Sequence, residues 1–364
     1  MQWQFAGGVR TDDRGPALGS VGLMRIALAA EESAGVQALR LVAGSVHEAC
    51  AVLTGSTSGD RTRGLTVAAV ADELGIDTLP GAAVREPSLA GILRSRGVDV
   101  LLNVHSLYVV HPAVLAAPRF GCFNLHPGPL PRYAGLNAPN WALYQGEPTH
   151  GVTLHWMAPG IDTGPIAYLE SFPLATEDNG FSVSATCVRE GLRLVSRLLD
   201  DLATDPRRVP VIEQDLTLRR YFGRDVPHDG WIPWTEDATH VAGLVRACDY
   251  GPWTSPWGRA RTRGNDGLEI TVRRARRTGR PAADPPGTVG PCDSAEAWVA
   301  TRDEWVVISR LQVAGADTPV DLVLTTGDVL TTRIALCAET QRATEPENPL
   351  RTEVSSRSSP IVTR

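Results

Sequence analysis

Apolar residues fall into short unbroken runs in the first half of the chain, separated by segments of helical spacing. The run at residues 25–30 (RIALAA) does not alternate, which predicts a strand buried on both faces. Similar runs at residues 49–54, 98–104 and 121–126 predict three more strands. Between them, residues 65–74 and 88–95 space their apolar positions as helices do, and Gly75 predicts the stop of the first. A strand pair is predicted at 151–157 and 165–171, then a long amphipathic helix over 181–202 that ends before Asp205-Pro206. This alternation predicts an α/β domain whose mostly parallel sheet carries helices on both faces. Ligands of such sheets sit beyond the carboxyl ends of the strands, here just after Val104 and Phe123.

After about Asp225 the texture changes, with Pro, Gly and Trp clustered in Trp231-Ile232-Pro233-Trp234 and in residues 251–257 (GPWTSPW). A helix at 238–248 and short strands at 268–273, 297–301, 304–308 and 320–324 predict a smaller β-barrel-like domain. The expected division is an N-terminal extension over 1–23, a large domain over 24–225, a β-rich domain over 226–338 and a disordered polar tail over 339–364. Met24 is an alternative natural start.

Composition narrows the chemistry. The chain has 364 residues and a formal net charge of −6, so a general pull toward nucleic acid or anionic membrane is not expected. Its 35 basic residues are all arginine, which excludes a Schiff-base lysine and a P-loop lysine. Cys50, Cys122, Cys187, Cys248, Cys292 and Cys337 lie far apart without a C-x-x-C pair, the pattern of reduced thiols rather than a zinc site or disulfide scaffold. Without an apolar run of membrane length or a signal-peptide core, a cytoplasmic location is the default expectation.

The densest chemistry lies between Asn124 and Gly164. Asn124 and His126, two apart on an extended chain, start on one face, and Pro127-Gly128-Pro129-Leu130-Pro131 follows them as a stiff loop. Gly160-Ile161-Asp162-Thr163-Gly164 then presents a carboxylate on a glycine-bracketed turn. An amide, an imidazole and a carboxylate at one sheet edge suit acyl transfer to an amine. Asn124 can donate to the oxyanion, His126 can shuttle a proton or share the oxyanion, and Asp162 can orient His126 and relay the proton of the amine. Each feature alone has a bland reading, Asp162 as a turn former among them.

Asn124-Leu125-His126 with Leu130-Pro131 and the later Asp-Thr-Gly resembles the signature of 10-formyltetrahydrofolate-dependent formyltransferases. That family includes glycinamide ribonucleotide, methionyl-tRNA and sugar-amine formyltransferases, and the formylation domains of peptide synthetases. The resemblance covers residues 24–225 well and runs more weakly through a C-terminal, OB-like domain that includes Tyr221-Phe222-Gly223-Arg224 and Pro286-Gly287-Thr288-Val289. It implies a Rossmann-like formyltransferase fold, a catalytic set of Asn124, His126 and Asp162, 10-formyltetrahydrofolate as co-substrate and no metal. The folate would lie against Val104, His105, Ser106, Leu107, Tyr108 and Val109, with Pro129 and the turn from Ala158 to Ile161.

The acceptor is expected to be a small-molecule amine, contacted by Arg132, Tyr133, Asn137 and His155. Residues 130–143 and 150–156 look closest to peptide-synthetase formylation domains, which implies an amino-acid-like or carrier-bound acceptor. A nucleotide-linked amino sugar is the nearest alternative. Methionyl-tRNA ranks lower because residues 54–66 supply only two arginines. Hydrolysis of formylfolate is a further alternative. A nucleotide-binding oxidoreductase lacks its G-x-G-x-x-G after the first strand, and a non-catalytic folate binder would have no use for all three polar groups.

Outside this constellation the bland readings are preferred. His155 is as readily a satisfied half-buried histidine, His111 is a surface residue, and His150 with His155 does not form a metal pair. Arg273, Arg274, Arg276 and Arg277 read as a solvated strand face rather than a phosphate site, and Trp231, Trp234, Trp253 and Trp257 as packing of an interdomain seam.

Overall fold

The computed structural model describes residues 22–55 and 65–332. The expected tail, most of the expected N-terminal extension, the arginines of residues 56–64, and Cys337 lie outside them.

The first sheet has seven strands in the order β3-β2-β1-β4-β5-β7-β8. They are β1 (Arg25–Ala30), β2 (Glu48–Thr54), β3 (Thr78–Pro80), β4 (Val100–Val104), β5 (Gly121–His126), β7 (Thr149–Trp156) and β8 (Ile166–Pro173). Strands β1 to β5 pair in parallel, whereas β7 and β8 add antiparallel. Ile26 through Ala30 and all of β4 are buried, the consequence of helices on both faces. Those helices are α1 (Glu32–Ala43), α2 (Val67–Glu73), α3 (Leu89–Ser95), α4 (Pro112–Leu115) and α6 (Gly180–Thr204). One face of the sheet packs with α1, α2 and α6 in a core of Leu28, Leu39, Val70, Phe123 and Leu198. The other packs with α3 and α4 around Leu53, Leu89, Leu93 and Leu101.

Local chemistry sets the helix limits. Thr66 accepts the N–H of Ala69 at 3.1 Å, so α2 begins one residue later, and Gly75 leaves it at φ 67°. Helix α6 opens on a reciprocal capping box, Asn179 Oδ1 accepting from Ser182 N at 2.9 Å and Ser182 Oγ from Asn179 N at 3.0 Å.

The second sheet is antiparallel, in the order β10-β11-β14-β13-β12 with β15 pairing β14. Its strands are β10 (Arg261–Arg263), β11 (Glu269–Pro281), β12 (Val289–Cys292), β13 (Glu296–Ala300), β14 (Glu304–Val313) and β15 (Ala316–Thr318). Helix α7 (Ala238–Cys248) covers it, and α5 (Ala138–Tyr144) sends Leu143 and Tyr144 into the same core. Strand β11 runs eight residues past the expected limit of 273 because its arginines have cross-strand partners. Arg276 pairs with Glu296 and Arg277 with Glu304, while Ala275 turns inward. The expected strand at 320–324 is instead a single 3-10 turn, Val320–Leu322. Leu324 N bonds Val320 O at 2.9 Å, which buries Val320 and Leu324 on one side. Trp234 and Trp257 are buried in the second core, Trp257 packing edge-on against Trp141 and Tyr144 of α5; Trp231 is buried beneath Arg261 and Arg263, and Trp253 is half exposed.

Candidate active site

The polar cluster forms where β4, β5 and β7 end side by side. Register places Asn103 of β4 beside Asn124 of β5, and Asn124 beside His155 of β7, a lateral row of three polar side chains across an apolar sheet. Two residues on, His126 shares the face of Asn124. After β5 the chain runs through Pro127–Pro131, with a cis Leu130–Pro131 bond, to the two-residue strand β6 (Ala134–Gly135). Thr153 holds this loop against β7, its hydroxyl donating to Gly128 O at 2.7 Å and accepting from Leu130 N at 3.1 Å.

Asp162 is the point of convergence. Its Oδ1 lies 3.4 Å from Asn124 Nδ2 and 3.4 Å from His155 Nε2. Its Oδ2 accepts the N–H of Gly135 at 2.8 Å and faces His126 Nδ1 at 3.6 Å. Asp162 itself is left-handed, at φ 54°, a conformation that costs a non-glycine residue energy and must be held from outside. Gln214 supplies that hold, donating from Nε2 to the carbonyls of Asp162 at 3.0 Å and Gly164 at 2.6 Å. Arg219 donates to the carbonyl of Ile161 at 3.0 Å. Both lie on the segment leading to β9 (Tyr221–Phe222), which pairs with β6, so one stretch grips both site loops.

Hydrogen-bond partners fix most protons. His126 Nε2 lies 2.6 Å from the carbonyl of Tyr133, which can only accept, so Nε2 carries hydrogen and the lone pair of neutral His126 is on Nδ1, toward Asp162. His155 Nδ1 donates to Trp156 O at 2.8 Å, which leaves Nε2 to accept from Asn124 Nδ2 at 3.0 Å. Burial pushes His126 below the ordinary imidazole value, against the opposing pull of Asp162. Burial also opposes ionisation of Asp162, but the positive charge that His126 and His155 present when protonated, together with the Gly135 N–H, outweighs it and holds the carboxyl well below the usual carboxylate range. Neutral imidazole and ionised carboxylate are therefore the resting pair.

The other expected contacts divide. Val104 is buried at the end of β4, and His105, left-handed at φ 59°, pairs with Glu32 at 3.2 Å. Ser106 is buried, whereas Leu107 and Val109 are exposed and Tyr108 stacks under Arg85 at 4.7 Å. Pro129 and Ala158 are half-buried, and Ile161 stands exposed beside Asp162. Asn137 opens α5 at φ 56° and makes no capping bond with its side chain. Arg132 is tied to Glu147 at 2.6 Å. Tyr133 departs from the expectation of an acceptor contact. It is 2% exposed, its hydroxyl bonds Gln145 and Glu147 at 2.8 Å each, and its ring stacks on Phe222, so its side chain belongs to the scaffold. His111 is half-buried and caps α4.

Asn103, Gly128, Thr153, Gln214 and Arg219 were not expected. Asn103 had a signal, a polar residue inside an otherwise apolar buried strand. A Cβ on Gly128 would lie 2.7 Å from His126 Nε2 and 2.8 Å from Tyr133 O, so only glycine permits their contact. Gln214 and Arg219 reach the site from some fifty residues away, and nothing in their own surroundings marks them. Among the described residues no group of three His, Cys, Asp or Glu is placed to hold a metal ion, and no helix is long and apolar enough to cross a membrane.

Comparison with known proteins identifies the family and the fold. The formyl transferase family profile matches residues 78–195, and the profile of its C-terminal domain matches residues 226–319. A methionyl-tRNA formyltransferase of Citrifermentans bemidjiense is 30% identical over 71% of this chain and 77% of its own. One from Sorangium cellulosum is 31% identical over 67% of this chain and 76% of its own. Among solved structures, an N-formyltransferase from Helicobacter canadensis, in complex with folinic acid and dTDP-3-aminofucose, superimposes with a TM-score of 0.64 at 16% identity. It covers 80% of this chain and 100% of its own, and shows likeness of fold.

Proposed function

The chain belongs to the formyl transferase family, and from that premise we propose that it moves the formyl group of 10-formyltetrahydrofolate onto the amine of a small-molecule acceptor. The observation that carries this reading is the convergence of Asn124 and His126 on the Asp162 carboxylate. The sheet edge fits the donor. Exposed Leu107, Val109 and Ile161 offer apolar surface to a flat ring, next to backbone groups that can bond its polar rim. Folinic acid in the Helicobacter canadensis protein supports a reduced folate here.

When bound, 10-formyltetrahydrofolate supplies the activated formyl carbon. The residues of the chain handle charge and protons around it. Of the two Asn124 amide hydrogens, the one toward Asp162 Oδ1 spans 3.4 Å and is weakly held. It can turn to the oxyanion that develops on the formyl group, a donation typically worth about 3–4 kcal/mol in an enclosed site. The Nδ1 lone pair of His126 can take the proton of the attacking amine. At 3.6 Å, the Asp162 carboxylate attracts the imidazolium and offsets part of the burial penalty on its charge. The same proton can then pass to the departing folate nitrogen. His126 Nε2 is committed to Tyr133 O, which favours proton transfer over a share in the oxyanion.

Charge supports a small acceptor. Arg273, Arg276 and Arg277 each have an acidic partner, as do Arg261 and Arg263 through Glu269, so much of the positive charge on the second sheet is already paired, which favours a small acceptor over a polyanion. Methionyl-tRNA is the second reading, favoured by the names of the curated relatives. The test is formyl transfer from 10-formyltetrahydrofolate to amino acids, nucleotide-linked amino sugars and charged initiator tRNA. Product with a small amine supports the proposal. Product with tRNA alone selects the second reading, and folate release without formylated product selects hydrolysis.

A further inference from the structure

We infer that Asn103 is a positioning residue that sets which way the Asn124 amide faces, an inference that rests on the formyl-transfer reading above. Asn103 lies 6% exposed in β4, an amide in a strand whose other side chains are all apolar. Its Nδ2 sits 3.3 Å from the carbonyl of Ser106, an oxygen that can only accept, so the nitrogen end must face that way. The same Nδ2 lies 2.7 Å from Asn124 Oδ1. That bond holds the oxygen of Asn124 toward β4 and turns its NH2 toward β7, His155 and Asp162.

An unrestrained carboxamide can rotate by half a turn and present its oxygen instead. In the active site that rotation would replace the oxyanion donor by an acceptor and place it against the Asp162 carboxylate. His155 opposes the rotation from the other side, since its Nε2 is an acceptor too. Asn103 has no evident packing reason to be polar. Its own Oδ1 is buried without a hydrogen-bond partner, a cost that an apolar residue would avoid. What the polar side chain gains in return is its two bonds, to Ser106 O and Asn124 Oδ1, and together they fix which way the Asn124 amide faces.

The test compares Asn103→Ala, Asn103→Asp and Asn124→Ala in steady-state formyl transfer, with the double variant Asn103→Ala/Asn124→Ala. Asp keeps the shape of Asn but offers only acceptors to Asn124 Oδ1, so it drives the amide around, whereas Ala merely frees it. Expected is a kcat about tenfold lower in Asn103→Ala and about a hundredfold lower in Asn103→Asp, with KM for donor and acceptor within about twofold. In the Asn124→Ala background, Asn103→Ala then costs nothing further. Should Asn103→Ala be insoluble, Asn103→Ser, too short to reach Asn124, is expected to match its tenfold loss. An Asn103→Asp enzyme as fast as Asn103→Ala or faster, or losses that add in the double variant, would overturn the inference while leaving the catalytic reading of Asn124 intact. Full kcat in Asn124→Ala would instead overturn the catalytic reading itself, and this inference with it.

Discussion

His126 Nε2 and the backbone carbonyl of Tyr133 lie 2.6 Å apart, a contact that joins the end of β5 to the far side of the proline loop and fixes the imidazole tautomer. Everything proposed for His126 follows from it, because the hydrogen on Nε2 leaves Nδ1 to face Asp162.

That contact depends on Gly128. Its Cβ in Gly128→Ala would meet His126 Nε2 at 2.7 Å, Tyr133 O at 2.8 Å and the Cβ of Ala138 at 2.9 Å, two of the three being main-chain or scaffold atoms that cannot yield cheaply. Gly128→Ala is expected to destabilise the fold by about 1–3 kcal/mol and to lower kcat of the folded fraction. Denaturant unfolding and single-turnover formyl transfer check the two effects separately.

The pH dependence of turnover follows from the two shifts. The active forms are neutral His126 and ionised Asp162, both held below their ordinary values, so activity persists as pH falls and its acid limb lies below the imidazole range near 6.5. Asp162 pulls His126 upward, so Asp162→Asn should move the acid limb lower still while depressing the plateau. The kcat/KM profile of each enzyme between pH 4 and about 8 measures this.

Sensitivity of the fold to acid has a separate source in His150. It is 1% exposed, donates through Nε2 to Pro127 O at 3.0 Å, and burial pushes its pKa down to about 4. A histidine lowered on folding binds fewer protons in the native than in the unfolded chain between those two values. Stability is therefore complete above the unfolded value and falls as pH drops toward the folded one, by on the order of 3 kcal/mol. His150→Gln keeps a donor for Pro127 without a titrating ring, and should lose less of its unfolding free energy between pH 7 and about 4 than the parent.

Gln214 carries the prediction for the Asp162 turn. Without its two bonds to the carbonyls of Asp162 and Gly164, the left-handed residue relaxes and its carboxylate drifts from His126. Gln214→Leu is expected to reduce kcat by about tenfold or more with little change in donor affinity. A loss confined to donor affinity would instead assign Gln214 to the folate site.

How much of this could be read from the sequence varied with the range of the interactions. Buried strands such as Arg25–Ala30 and Gly121–His126 announce themselves because their apolar runs need only local inspection. Asn124, His126 and Asp162 were legible because the first two share a strand and the third sits on a turn marked by glycines. The arginines hide the second half of β11, because their place in the strand depends on Glu304 of β14 and Glu296 of β13, which the sequence alone does not bring beside them. Between Val320 and Leu324 five residues are too few for their spacing to distinguish extended from turned chain. Gln214 and Arg219 act through side-chain bonds to distant carbonyls, which leave no periodicity behind. Tyr133 looked like a substrate contact from its place in the loop, and only the Phe222 stack and its bonded hydroxyl show it to be scaffold.

The most direct test of the central claim is the formyl-transfer rate of His126→Ala and Asp162→Asn beside the parent, with binding of 10-formyltetrahydrofolate measured on the same preparations. The proposed chemistry predicts that turnover falls by about a hundredfold or more in each while the donor still binds. Parental turnover in either variant would contradict it.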